Sequence, residues 1–326
     1  MKILITEFME DKSVEVLKSN FDITNENKTA TGVEFNPSGT KMYVVGILHS
    51  GNNASIAQYS LSEPFNIGST VTLDENLVIF SQEQRPQGIK FNSDGTNVLV
   101  LGTHGDGVDV WDLTTPYDVT TLTLADTKFA PIGDNPRGFD FNNDGTKMFV
   151  LQIDELQEFS LSTPFDPRTK GSAKTISIPA VSDTAHQGFA FNNDGKKMYV
   201  TRSKNSNSYD NSLNTITEYD LTNPFDISSA SSNGAYISSY TGHEQISGVT
   251  FNNTGSKLFY INFYLNADEV RQFSLSCSYG VVTCTDPTSD KDDVASVEAQ
   301  TAAGKEIMQH TTYPVLNRME WLRRNK

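Results

Sequence analysis

Basic residues are scarce in this chain. Its 326 residues carry 25 Lys and Arg against 40 Asp and Glu, a formal net charge of -15. Binding to a phosphate backbone needs clustered cations, so the balance excludes nucleic acid as a partner and disfavours an anionic membrane surface. Long apolar runs are also missing; nothing approaches the roughly 18 residues of a spanning helix. Ile3-Leu4-Ile5 is too short for the apolar region of a signal peptide, and Glu7, Glu10 and Asp11 follow at once. Cysteine occurs twice, as Cys277 and Cys284. In an oxidising compartment the pair closes a short loop; otherwise they stay two separate thiols. The five histidines, His49, His104, His186, His243 and His310, show no metal-ligand spacing. No Gly-x-Ser-x-Gly elbow and no phosphate-cradling loop occurs. The Asp-Gly pairs at Asp94, Asp144 and Asp194 lack the clustered carboxylates of a calcium loop. The expectation is a chain without metal, cofactor or catalytic machinery.

What is present is repetition. One motif recurs five times: GVEFNPSGTKMYVVG from Gly32, GIKFNSDGTNVLVLG from Gly88, GFDFNNDGTKMFVLQ from Gly138, GFAFNNDGKKMYVTR from Gly188 and GVTFNNTGSKLFYIN from Gly248. The spacings are 56, 50, 50 and 60 residues. A second motif follows each copy: QYSLSEPFNI from Gln58, VWDLTTPYDV from Val110, EFSLSTPFDP from Glu158, EYDLTNPFDI from Glu218 and QFSLSCSYGV from Gln272. Two motifs in step define a structural unit.

One unit reads as four strands. Gly138-Phe139-Asp140-Phe141 alternates with the period of a half-buried strand. Asn143-Asp144-Gly145-Thr146 turns the chain, and Lys147 to Leu151 returns as its hairpin partner. A third strand ends at Phe159-Ser160-Leu161-Ser162 before Pro164, and Lys174 to Ile178 supplies the fourth. Four antiparallel strands in 50–60 residues match one propeller blade, so the fold class expected is all-β, a β-propeller of five four-stranded blades. Val33, Ile89, Phe139, Phe189 and Val249, with Phe35, Phe91, Phe141, Phe191 and Phe251, share one face and are assigned to packing between blades. The fifth unit lacks an evident fourth strand, which Lys2 to Phe8 could supply from the other end of the chain. The domain reading is an N-terminal strand and short helix over 1–22, the propeller over 23–286 and a helical linker tail over 287–326.

The motif Gly-x-x-Phe-Asn-x-Asp-Gly-x-Lys-Met-[Tyr/Phe]-Val resembles the blades of the lactonase-like and WD-repeat-like propeller group, over Thr29 to Asp286. The tail from Cys284, with Val315, Leu316, Met319 and Leu322 at helical spacing, resembles the linker of marine bacterial proteins whose propeller repeats precede an autotransporter-type barrel. That resemblance implies a helix threading a barrel pore; the plain alternative is a helix packing on the propeller or a dimer partner. Any membrane role would run through a barrel that this sequence does not contain. Met1 to Val14 resembles the first strand and helix of D-2-hydroxyacid dehydrogenases of the phosphoglycerate type. No dinucleotide fingerprint follows, since Gly102-Thr-His-Gly-Asp-Gly is wrongly spaced, and dehydrogenase activity is rejected.

A ligand is expected at the channel mouth, on the loops leading into the innermost strands. Thr31, Gln87, Arg137, Gln187 and Ser247 precede the repeat glycines, are all polar, and differ on a constant framework. Arg85, His186 and His243 lie in the same loops; the plain alternative for all of these residues is ordinary solvated loop polarity. The function expected is a non-enzymatic binding module for a protein or glycan ligand, extracellular or on the outer-membrane surface as an autotransporter passenger, with the cytoplasm as the alternative setting because no signal peptide is visible. The alternatives are a lactonase-like hydrolase acting in the channel and a purely structural scaffold.

Overall fold

The computed structural model describes residues 17–281, apart from positions 28, 49–52, 124–127, 134, 179–183, 205–213, 239–244, 265–266 and 276. Twenty strands form five antiparallel sheets of four. Blade I holds β2 (Thr29–Phe35), β3 (Lys41–Ile47), β4 (Ala54–Leu61) and β5 (Val71–Val78). Blade II holds β6 (Pro86–Phe91), β7 (Asn97–Gly102), β8 (Gly107–Asp112) and β9 (Lys128–Pro131). Blade III holds β10 (Gly138–Phe141), β11 (Lys147–Leu151), β12 (Glu155–Ser160) and β13 (Lys174–Ser177). Blade IV holds β14 (Thr184–Phe191), β15 (Lys197–Lys204), β16 (Thr215–Leu221) and β17 (Ala230–Ser238).

Blade V combines β18 (Gln245–Phe251), β19 (Lys257–Tyr264) and β20 (Ala267–Ser274) with β1 (Leu17–Asp22). The ring therefore closes from the N-terminal side, but through Leu17–Asp22 within the segment read as 1–22. Lys2 to Phe8 lies outside the described residues. Phe21 sets the register, pairing with Val270 and meeting the Tyr59 ring edge-on at 5.3 Å between centroids.

The repeated residues each have a local task. The Asn of the Phe-Asn pair folds its side chain over the turn. Asn36, Asn92, Asn142, Asn192 and Asn252 each accept the N–H of the residue five later, at 2.8–2.9 Å. The turn glycines Gly39, Gly95, Gly145, Gly195 and Gly255 have φ of 66–74°, the left-handed region where a Cβ is costly. Each also carries an aromatic ring of the second motif on its bare Cα. A Cβ on Gly145 would lie 2.2 Å from the Phe165 ring. Phe65, Tyr117, Phe165, Phe225 and Tyr279 are themselves left-handed and donate their N–H to those glycine carbonyls, at 2.8–2.9 Å.

The core divides into five clusters, one at each blade boundary, including the boundary between blades V and I. Eight of the ten residues assigned to interblade packing are buried, and Phe91 and Phe251 are partly buried in the same clusters. A polar latch accompanies four of the boundaries. Val119 donates its N–H to Gln58 Oε1 (2.9 Å), Ile227 to Glu158 Oε2 (3.4 Å), Val281 to Glu218 Oε2 (3.0 Å) and Ile67 to Gln272 Oε1 (3.1 Å). The first and last residues of the second motif are thus acceptor and donor, each acceptor serving the following blade. Between blades II and III the same positions hold Val110 and Pro167, so acceptor and donor are lost together.

Candidate functional site: the two mouths of the axial channel

The innermost strands converge on their repeat glycines. A Cβ on Gly248 would lie 2.7 Å from Gly32 Cα, one on Gly32 2.9 Å from Gly88 Cα, and one on Gly188 2.9 Å from Gly248 N. These close approaches explain why the motif begins with glycine. The cavity left at this ring is about 20 Å³, room for a single water. A ligand entering from either mouth stops there.

On the face bearing the Asn-Asp-Gly turns, the channel widens into a polar vestibule of about 190 Å³. Its walls are the residues between the two apolar positions of each innermost strand: Glu34, Lys90, Asp140, Ala190 and Thr250. Lys90 Nζ pairs with Glu34 Oε2 at 2.6 Å and Asp140 Oδ1 at 3.2 Å. Burial alone would pull the Lys90 ammonium down, but the Asp140 and Glu34 carboxylates outweigh it and hold the group above the usual lysine range. Asp140 also accepts the N–H groups of Phe141 and Phe191, both at 2.9 Å. Glu34 accepts from Phe35 N–H and Thr250 Oγ1. The cluster satisfies inner-edge N–H groups that no neighbouring strand pairs. At the rim, Asn143, Asn193 and Asn253 each donate to a carbonyl of the following blade, at 2.6–2.8 Å. Sequence reasoning passed over these positions, because a polar residue between two apolar ones is what any half-buried strand shows. The signal was the change of charge at one position of a constant motif.

On the opposite face the predicted residues separate into two groups. Thr31, Gln87 and Gln187 sit at β-bulges, where one extra residue interrupts the pairing ahead of the glycine. Thr31 Oγ1 is engaged with Pro86 O at 2.8 Å, and buried Ser247 donates to Ala30 O at 3.2 Å. Both stitch into the next blade. Gln87 makes only a 3.5 Å contact with Arg85 O, and Arg85 is exposed. Arg137 is half-buried; its N–H donates to Leu151 O, while its Nε is buried with no acceptor. Burial holds this guanidinium below its usual range. His186 is paired with Arg202 across the β14–β15 ladder. His243 lies outside the described residues.

Arg202, which sequence reasoning missed, repeats the condition of Arg137: half-buried, Nε without an acceptor, and lowered by burial, with Tyr219 opposing the shift. A buried carboxyl pair lies on the same side of blade II. Glu83 folds over Gly102, where a Cβ would lie 2.0 Å from its Cδ, and accepts the N–H groups of Arg85 and His104. Burial raises Glu83, and burial with the nearby Glu83 charge pushes Asp109 up to about 7. Cys277 is disulfide-bonded. Cys284, the only other cysteine of the sequence, and the tail over 287–326 lie outside the described residues.

No protein-family model and no curated protein matches the chain. Solved structures match it in fold. A protein assigned as a 6-phosphogluconolactonase from Bacteroides uniformis is 15% identical, with 76% of this chain and 68% of that one covered and a TM-score of 0.42. Another from Bacteroides fragilis is 13% identical, with coverage of 78% and 69% and a TM-score of 0.43. An exo-beta-1,3-galactanase from Phanerochaete chrysosporium, solved with beta-1,3-galactotriose, is 12% identical, with coverage of 81% and 63% and a TM-score of 0.50. This chain thus spans less than two thirds of the galactanase. At these identities the likeness is one of fold: the chain is a five-bladed β-propeller, distantly similar to lactonase-like and glycosidase propellers.

Proposed function

We propose that the chain is a non-enzymatic binding module whose ligand, a protein or a glycan, seats over the channel mouth on the face bearing Gln87, Arg137 and Gln187. One observation carries this reading. Of the five polar residues preceding the repeat glycines, Thr31 and Ser247 stitch blades together, while the consecutive blades II to IV keep an amide, a guanidinium and an amide without a firm partner among the described residues. Polar groups left unengaged at a concave mouth recognise something outside the chain. The glycine ring gives that ligand a floor. The tail resemblance extends the proposal to a setting, the exposed passenger of an autotransporter-type surface protein.

On this face a hydrolase reading finds one carboxyl pair with raised proton affinity, Asp109 and Glu83. With side chains at 3% and 0% exposure, they offer a substrate no surface. Glycan and peptide arrays probed with the purified chain test the proposal. Binding is expected to at least one class of spot, and to be lost on substituting Gln87, Arg137 and Gln187 together by alanine. A chain inert on every spot, or a triple variant that binds undiminished, would overturn it.

A further inference from the structure

We propose that the boundary of blades III and IV, on the face just described, is a seat for an oxyanion, the carboxylate or sulfate of an acidic saccharide, held between the guanidinium groups of Arg137 and Arg202. This rests on the binding-module reading and adds the chemistry of its ligand.

The repeat itself places Arg137. In blade I the residue before the glycine, Thr31, reaches the carbonyl of Pro86, which precedes the next blade's glycine by two. In blade V, Ser247 reaches Ala30, the same position of the following blade. Arg137 occupies that reaching position in blade III, and the receiving position in blade IV is His186. Arg202 stands opposite His186 in the ladder. Strand alternation places Arg202 as well. It lies two residues beyond Val200 and four beyond Met198, and both of those pack in the cluster between blades III and IV. Both side chains are therefore placed at one boundary, whose apolar floor includes Leu151, Leu156 and Ile178.

Neither has a counter-charge. No ion pair involving Arg137 or Arg202 exists among the described residues, in a chain where acidic side chains outnumber basic ones by 40 to 25. The Nε–H of each is buried and finds no acceptor among the described residues. A half-buried charge without a counter-ion is costly. What relieves that cost is an anion with oxygen acceptors matched to the planar guanidinium, which binds carboxylate and sulfate in forked geometry. The low-dielectric floor strengthens the attraction. The bulge amides Gln187 and Gln87 are neutral donors and acceptors nearby, suited to the hydroxyls that surround an acid group on a sugar.

The test uses the full chain and four probes: an oligogalacturonate, the corresponding neutral galactose oligomer, sodium sulfate, and an oligoglutamate peptide. Calorimetric titration is expected to show binding of the oligogalacturonate, at least tenfold weaker in Arg137→Met and in Arg202→Met, and none of the neutral oligomer. Sulfate is expected to raise the melting temperature of the wild type but not of the double variant. Both single variants are expected to melt no lower than the wild type without ligand, since each removes a half-buried charge that has no partner; this separates loss of a site from loss of the fold. Equal oligogalacturonate binding by wild type and double variant overturns the proposal, as does the absence of binding by every probe. Binding of the peptide alone overturns the saccharide assignment. If the neutral oligomer binds through Gln87 and Gln187 while Arg137→Met is silent, the oxyanion seat fails but the binding face stands. Binding that survives every substitution on this face sinks both.

Discussion

The missing latch between blades II and III offers a test of how blade boundaries are held. Elsewhere a Gln or Glu accepts the N–H of a buried residue in the next blade, at 2.9–3.4 Å. Here Val110, only 6% exposed, holds the acceptor position and Pro167, which has no N–H, the donor position. Pro167→Ile alone creates a buried donor opposite a valine, costing about 1–3 kcal/mol. Val110→Gln alone buries an amide oxygen opposite proline, with a similar cost of about 1–3 kcal/mol. Made together, the two changes install the arrangement that Gln58 and Val119 show between blades I and II. Each single penalty is removed and one hydrogen bond worth about 1 kcal/mol net is gained. A double-mutant cycle should therefore give a favourable coupling of about 2 kcal/mol or more. For a domain of this size that corresponds to roughly 4–8 °C in melting temperature. Urea unfolding followed by tryptophan fluorescence suits the measurement, because fully buried Trp111 adjoins the altered position. If the two changes prove additive within about 0.5 kcal/mol, the shared loss of acceptor and donor is coincidence and the latch contributes nothing specific.

Other consequences can be measured on the same chain. Gly248→Ala sets a Cβ 2.7 Å from both Gly32 Cα and Thr31 O, backbone atoms with no freedom to yield, whereas Gly171→Ala meets only Ser160 O at 3.7 Å. The first should lower the urea midpoint by an equivalent of about 3 kcal/mol or more and the second by less than about 0.5 kcal/mol. Gly145→Ala combines φ of +69° with a Cβ 2.2 Å from the Phe165 ring. It should cost about 1–2 kcal/mol for the backbone plus a ring displacement, and adding Phe165→Ala should abolish only the second part in a thermal-melt comparison. Asp109 and Asp268 are both pushed up to about 7, by burial first and then by the nearby Glu83 and Asp22 charges respectively. The folded state thus holds protons that the unfolded chain releases from about pH 4. Stability should fall as pH rises from about 4 to about 7, by on the order of 2–4 kcal/mol per group. Denaturation midpoints at pH 4.5, 6 and 8 check the slope, which should flatten in Asp109→Asn with Asp268→Asn; a rising slope in the wild type would refute the assignment.

The blade was legible because its two motifs encode backbone conformations: the Asx-capped turn, the left-handed glycine and the aromatic seated on it are all written in residue type. Ring closure was half legible. Leu17-Lys-Ser-Asn-Phe-Asp forms the edge of blade V despite its weak β composition, because pairing with β20 and partial burial of Phe21 offset local preference. The residues before the repeat glycines were read from the sequence without their neighbours around the ring. That Thr31 and Ser247 are spent on the next blade depends on distances around the ring, which no single repeat reveals. Arg202 escaped notice because it ends a strand whose face becomes evident only once Val200 and Met198 are seen to pack toward blade III.

The borrowed strand of blade V also orders events in time. Asp22 is made 247 residues before its partner Glu269, a delay of roughly 12–50 s at ordinary rates of synthesis. Until then blades I to IV can assemble only as an open arc, with a sheet face bare at each end and β1 waiting unpaired. The final closure joins segments distant in sequence, so the entropy of that loop falls on a single late step. Anything that holds β1 during the wait, whether a chaperone, another chain or a misplaced outer strand, competes with the ring itself.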